Sequence, residues 1–242
     1  MGLVKKIHKW ASVIVGLQLL IWLATGLYFN LMDHHKAGGH QYRAHLHQPL
    51  VFDHSRLVEP QQLLENSSAS TSIKLINLLG KPYYLMNHEK GLYPHFNNRY
   101  SLYHAYTGEL FKIDRTTAIA LAEQSYNGPG EVESVSFIGG KNEDLPKQKN
   151  PSWQVSFNDE VNTRVYVEAQ SGRITGHSDD DSRFAGIFFM LHFMDYANEG
   201  SFNNWQIIAF GFITLWLSFT GMIWTINLLQ KRQYKLKELK QL

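Results

Sequence analysis

The sequence predicts an α+β domain of two tandem helix-plus-antiparallel-sheet units, flanked by two transmembrane α-helices. Three observations predict it. Two stretches without a charged residue, Trp10 to Met32 and Trp205 to Leu229, lie near the ends of the 242-residue chain. The 172 residues between them, 33 to 204, alternate strand-like runs with turn signals. A helix followed by strands is legible twice in that middle part. The mean hydropathy of −0.27 resembles that of a soluble protein only because it averages apolar ends with a polar centre.

Residues 1–9 precede the first span, residues 10–32. Its 23 residues make roughly 34 Å of helix, enough for a hydrocarbon core of about 30 Å. Lys5 and Lys6 stand where a signal peptide would carry its basic residues. The apolar run is nevertheless too long for such a segment, and Leu27, Tyr28 and Phe29 continue past the small-residue triplet Ala24-Thr25-Gly26. An uncleaved anchor is expected. Residues 33–58 form a His-rich juxtamembrane segment.

The first loop unit, 59–112, opens with a helix at Glu59 to Asn66 with Pro60 at an early position. A strand pair follows within Ile73 to Asn87, broken by Gly80-Lys81-Pro82, then a strand from Tyr100 to Tyr106 closed by Thr107-Gly108. The second unit, 113–178, repeats this order. Asp114 caps a helix to Ser125, and Asn127-Gly128-Pro129-Gly130 stops it. Strands are expected at Val132 to Ile138, Trp153 to Phe157 and Thr163 to Ala169, with a turn at Ser171-Gly172 before Arg173-Ile174. Gly139 to Pro151 reads as a long polar hairpin loop. Residues 184–196 are an apolar interfacial segment, 205–229 the second span, and 230–242 a basic tail.

Charge placement predicts topology. The N-terminal ten residues carry +3, the loop −5 and the tail +4, which together give the net +2. Lys and Arg concentrate on the cytoplasmic side of spans, so both termini should be cytoplasmic and the loop outside, in a bacterium the periplasm. Such a balance offers nothing to nucleic acid. Gly16 and Thr25-Gly26 in the first span match Gly211 and Thr220-Gly221 in the second at a constant offset of 195. Small residues at this spacing predict a packing seam, between the two helices or between protomers.

The helix 114–125, the run Trp-Gln-Val-Ser-Phe at 153–157 and Val-Tyr-Val-Glu-Ala-Gln-Ser-Gly-Arg-Ile at 165–174 together resemble a PepSY domain. Residues 59–112 are similar to a more degenerate copy. Lys-Lys-Ile-His-Lys-Trp at 5–10, Thr-Gly-Leu-Tyr at 25–28, Leu-His-Phe-Met-Asp-Tyr at 191–196 and Thr-Gly-Met-Ile-Trp at 220–224 resemble the PepSY-associated transmembrane helices. The resemblance implies tandem PepSY-like units in the periplasm and an inner-membrane location. Larger relatives with four spans include siderophore-linked ferric reductases, and this chain has two.

With no cysteine, the chain has no disulfide, Cys-type zinc site, iron–sulfur cluster or thioether-attached haem. No nucleotide-binding, serine-hydrolase or His-Glu-x-x-His motif is present. The 12 histidines are therefore the residues that could carry chemistry. His8 starts the first span, His34 and His35 follow its outer end, and His192 lies before the second span. These four are the candidate ligands of a b-type haem, which takes neutral imidazoles from facing elements. The resemblance adds weight to His8 and His192, which fall where relatives carry recurring histidines. His8 and His192 lie at opposite faces of the membrane, so His8 would need a second protomer or another subunit. His192 could meet His34 or His35.

His40, His45, His47 and His54 form a second group that could hold a metal. His88, His95, His104 and His177 are expected at the surface, and Asp179-Asp180-Asp181 in a solvated turn. Lys231 to Lys240, with Leu236 and Leu239, suits a cytoplasmic tail against anionic lipid. Three function classes follow: an accessory or electron-transfer membrane subunit linked to iron reduction or uptake, a non-catalytic periplasmic interaction or regulatory module of the protease-inhibitor kind that the resemblance implies, and a metal-handling protein. The expected partners are the bilayer and a homo-oligomer or larger membrane complex.

Overall fold

The structure is a computed structural model and describes residues 2–44, 51–93 and 95–230, with side chains from residue 6 onward. His45, His47 and the tail from Lys231 lie outside the described residues. The chain divides into two compact units. One is made of the described residues of 1–31 and 188–242, the other of residues 32–187.

The membrane unit holds two long helices, α1 (Gly2–Leu31) and, later in the chain, Trp205–Gln230. Each contains a 26-residue segment, Lys6–Leu31 and Trp205–Gln230, long and apolar enough to span a bilayer. Their large apolar side chains stay out of the protein: Leu20, Leu23, Phe212 and Phe219 are all more than half exposed. Exposed apolar surface of this extent is what helices facing lipid present.

In the loop unit, Asp33 caps the short α2 (His34–Ala37) by accepting from the His35 and Lys36 amides. Next comes α3 (Pro60–Glu65), with proline in the first turn where its missing N–H is harmless. Four strands follow as an antiparallel meander: β1 (Ser72–Leu78), β2 (Lys81–Glu89), β3 (Arg99–His104) and β4 (Leu110–Phe111). The Leu79-Gly80 turn joins β1 to β2, both residues having positive φ. The order then repeats. α4 (Arg115–Ser125) is capped by Asp114, whose carboxylate accepts from Thr117 N at 2.8 Å. β5 (Val132–Ile138), β6 (Ser152–Phe157), β7 (Arg164–Glu168) and β8 (Ile174–Ser178) form a second antiparallel meander.

The two sheets share one core. Leu78, Tyr83 and Leu102 of the first meander meet Val155, Phe157, Val165 and Val167 of the second, with Ala118, Leu121 and Ala122 of α4 between them. The opposite face of the first sheet packs Tyr84 and Met86 on Leu63 of α3. Gly172 lies at the centre of the shared core with φ +69°, and a Cβ there would stand 2.9 Å from Leu78 Cδ1.

The segment 139–151 is the expected long hairpin loop, joining the antiparallel β5 and β6, and it is anchored: Asp144 has a side chain 3% exposed and accepts from the Tyr166 hydroxyl at 2.6 Å, with Arg164 and Arg183 at 3.3 and 3.7 Å. Two expectations are corrected. Asp179-Asp180-Asp181 is not a solvated turn. Asp179 is 2% exposed and starts α5 (Asp180–Phe193) in a reciprocal cap, accepting from Ser182 N at 2.7 Å while Ser182 Oγ accepts from Asp179 N at 2.8 Å. The predicted interfacial segment thus begins earlier, as one helix. The final helix, Trp205–Gln230, is α6.

His177 is the second correction: it is half-buried, with its Nδ1 shut away from solvent, rather than at the surface. Ser125 Oγ gives its single proton to the Ala122 carbonyl at 3.1 Å, so it accepts from His177 Nε2–H at 3.0 Å. Nδ1 is then a buried lone pair without a partner. Burial, with Arg43 and His40 nearby, pushes the His177 pKa down to about 4. His88, His95 and His104 are half-buried.

Candidate functional site

In the membrane unit each of two histidines is held by a threonine of another helix. Thr25 lies on α1, and its hydroxyl donates to its own helix at Ile21 O, 2.8 Å, with Trp22 O at 3.2 Å. His192 Nδ1, from α5, stands 2.8 Å from the same oxygen. A hydroxyl has one proton. Since the helix carbonyl takes it, His192 Nδ1–H donates and Nε2 keeps its lone pair.

The second pair has the same logic at the other end of α1. Thr220 of α6 donates to Trp216 O at 2.9 Å, and His8 Nδ1 lies 2.9 Å from Thr220 Oγ1. His8 is therefore also the Nδ1–H tautomer with a basic Nε2. Seventeen residues separate His8 from Thr25, roughly 25 Å along the helix axis. Within one chain the two imidazoles therefore belong to separate sites.

Aromatic rings fix both imidazoles. Trp216 and Trp224 flank His8 at 6.2 and 5.9 Å between ring centroids. His192 is met edge-on by Phe29 at 5.2 Å and Phe193 at 5.1 Å, while Trp22 Nε1–H donates to the His192 carbonyl at 2.6 Å. Tyr28 stacks on Phe188 at 3.7 Å, so the end of α5 is bound to α1 along its apolar face. Asn204 completes the frame: its amide donates to Phe193 O and its oxygen caps α6 at Ile207 N, both at 2.9 Å. A groove of about 570 Å³ opens beside His8, lined also by Ser12, Val13 and Trp224.

Within one chain the glycines do not form the seam expected between the two helices. A Cβ on Gly16, Gly26 or Gly211 would meet nothing within 4 Å, and at Gly221 it would meet only His8 Cε1, at 3.7 Å. The threonines beside the glycines make the contacts. Sequence reasoning missed Thr25 and Thr220 as partners of His192 and His8, although the repeated Thr-Gly at offset 195 was the available signal.

The other proposed ligands lie in the loop unit. His34 and His35 form the first turn of α2, and the His35 ring is 5.8 Å edge-on from that of His40. His54 starts a short 3-10 turn capped by Asp53 and sits against Phe52 at 4.6 Å. Among the described residues no three His, Asp or Glu side chains gather as a metal site.

The donor chemistry of the two pairs suits a haem. A metal-binding imidazole holds its second nitrogen through a hydrogen bond that fixes ring and tautomer, and both histidines have this arrangement in an apolar, aromatic setting. A family model described as PepSY-associated TM region matches residues 3–227 of the chain. No curated protein and no solved structure matches it.

Proposed function

Because the chain belongs to the PepSY-associated transmembrane family and is a membrane protein with two apolar helices, we propose that it is a PepSY-type electron-transfer or accessory subunit of the bacterial inner membrane, linked to iron reduction or uptake. Both termini are cytoplasmic in this reading and the loop unit is periplasmic, supported by the concentration of Lys and Arg outside the loop. His8 and His192 would each offer Nε2 to a b-type haem, one toward each face of the membrane. Bound haem would supply one-electron transfer there.

The observation that carries the reading is the duplicated carbonyl–threonine–histidine relay. Each relay holds Nδ1–H and leaves the lone pair on Nε2. Trp216 and Trp224 flank the His8 ring, and Phe29 and Phe193 meet that of His192 edge-on. His8 would take its second ligand from another protomer or subunit, which makes a homo-oligomer or larger membrane complex part of the proposal.

The test is a reduced-minus-oxidised visible spectrum of the protein purified in mild detergent from haem-replete cells. A b-type Soret and α band is expected, reduced in His8→Ala and in His192→Ala and lost in the double variant. Thr25→Val, which keeps the imidazole but removes its anchor, should weaken haem retention about 10-fold or more. A colourless wild-type preparation would sink the haem reading.

A further inference from the structure

The inner face of the first sheet changes character along its length. Leu78, Tyr83, Leu85 and Leu102 feed the shared core. Farther along the same face, strand register sets Ser72, Asn87 and Tyr100 in one cross-strand row and Lys74 beside Leu85 in the next. The core does not cover these residues. They floor a hollow of about 430 Å³, walled by Lys90 and the turn after it and by Arg173 from the turn between β7 and β8. That size accommodates a small organic molecule.

Among the described residues, no acidic side chain lines the hollow. Lys74 and Lys90 make no ion pair with any described residue, while Arg173 lies 3.6 Å from the buried Glu168 carboxylate. The site therefore offers cations to an anion. Its walls are held in place: Tyr100 N–H donates to Gln170 Oε1 at 2.9 Å and Gly91 N–H to Asn98 Oδ1 at 3.0 Å. Gly91 is required at this turn, since a Cβ would stand 2.4 Å from Phe96 Cβ.

We propose that this hollow binds a small organic anion carrying two or more carboxylates. Its carboxylates face Lys74, Lys90 and Arg173, and Leu85 and the Tyr100 ring contact its carbon skeleton. An inorganic oxyanion would leave most of the volume empty.

Calorimetric titration of the full-length protein in detergent tests this, with citrate and sulfate as probes. Citrate should bind once per chain, with affinity falling as salt rises. Lys74→Ala/Lys90→Ala should weaken it by about tenfold or more. Lys112→Ala/Lys141→Ala removes the same charge from exposed positions elsewhere and should leave it unchanged. Absence of citrate binding, equal loss in both double variants, or sulfate binding as tightly as citrate would overturn the site.

Discussion

His177 should make the loop unit acid-sensitive by an amount the structure sets. Its Nε2–H is spent on Ser125, and its Nδ1 lone pair is buried beside Arg43 and His40. In the folded chain the ring titrates at about 4, against 6.5 for the ordinary group. Between those values the unfolded chain binds a proton that the folded chain refuses. Stability is thus greatest above pH 6.5, declines as pH falls through this window, and levels off below about 4. The gap corresponds to about 3 kcal/mol in full, and about 2 kcal/mol of it is lost between about pH 7.5 and about pH 5.

Trp153 is the single tryptophan among residues 32–187, so it reports on this unit within the intact protein. The 19F resonance of a fluorotryptophan at that position, followed through urea titrations of the full chain, gives unfolding free energies at the two pH values. His177→Leu keeps the site apolar and removes the titration. Wild type should lose about 2 kcal/mol more than the variant over this range, because the carboxylates common to both cancel in the difference. Parallel losses would refute the argument and place His177 in contact with solvent.

Other outcomes can be measured with the same probe. Gly172→Ala should cost about 2 to 3 kcal/mol, because φ +69° disfavours a Cβ and that atom would stand within 3.2 Å of Leu78, Ile113 and Leu121. An unchanged urea midpoint would contradict it. Asp144→Ala should cost about 2 kcal/mol by removing the carboxylate that accepts from Tyr166 and faces Arg164 and Arg183. Tyr166→Phe in the Asp144→Ala background should then add much less than it does alone, and additive costs would show that the two do not act together. Asp179→Ala should lower stability by about 1 kcal/mol through loss of the α5 cap, read as faster amide exchange at Ser182 and Arg183.

Much of the fold is legible in single segments. Charge-free length marks α1 and α6, alternation marks β5 and β6, and Asp114 marks the start of α4. The acidic run at 179–181 is ambiguous by itself, since a cap and a solvated turn have the same composition. Its role is decided by Ser182 three residues on, which closes the reciprocal bond. The histidines divide similarly. Their positions at the span ends can be read from the chain, but their tautomers cannot, because each depends on a threonine whose own proton is committed to a helix carbonyl.

Span lengths, strand alternation, turn residues and the division of charge were determined by the sequence alone, since each depends on residues close together in the chain. The tertiary structure decided which side chains meet. Thr25 with His192 and Thr220 with His8 join positions 167 and 212 residues apart, and Gly172 enters a core built by both sheets. The burial of His177 Nδ1 and Asp144 and the gathering of Lys74, Lys90 and Arg173 around one hollow follow from the same packing. Local propensity selects helix or strand, but only the docking of helices and sheets fixes which polar groups are satisfied and which await a ligand.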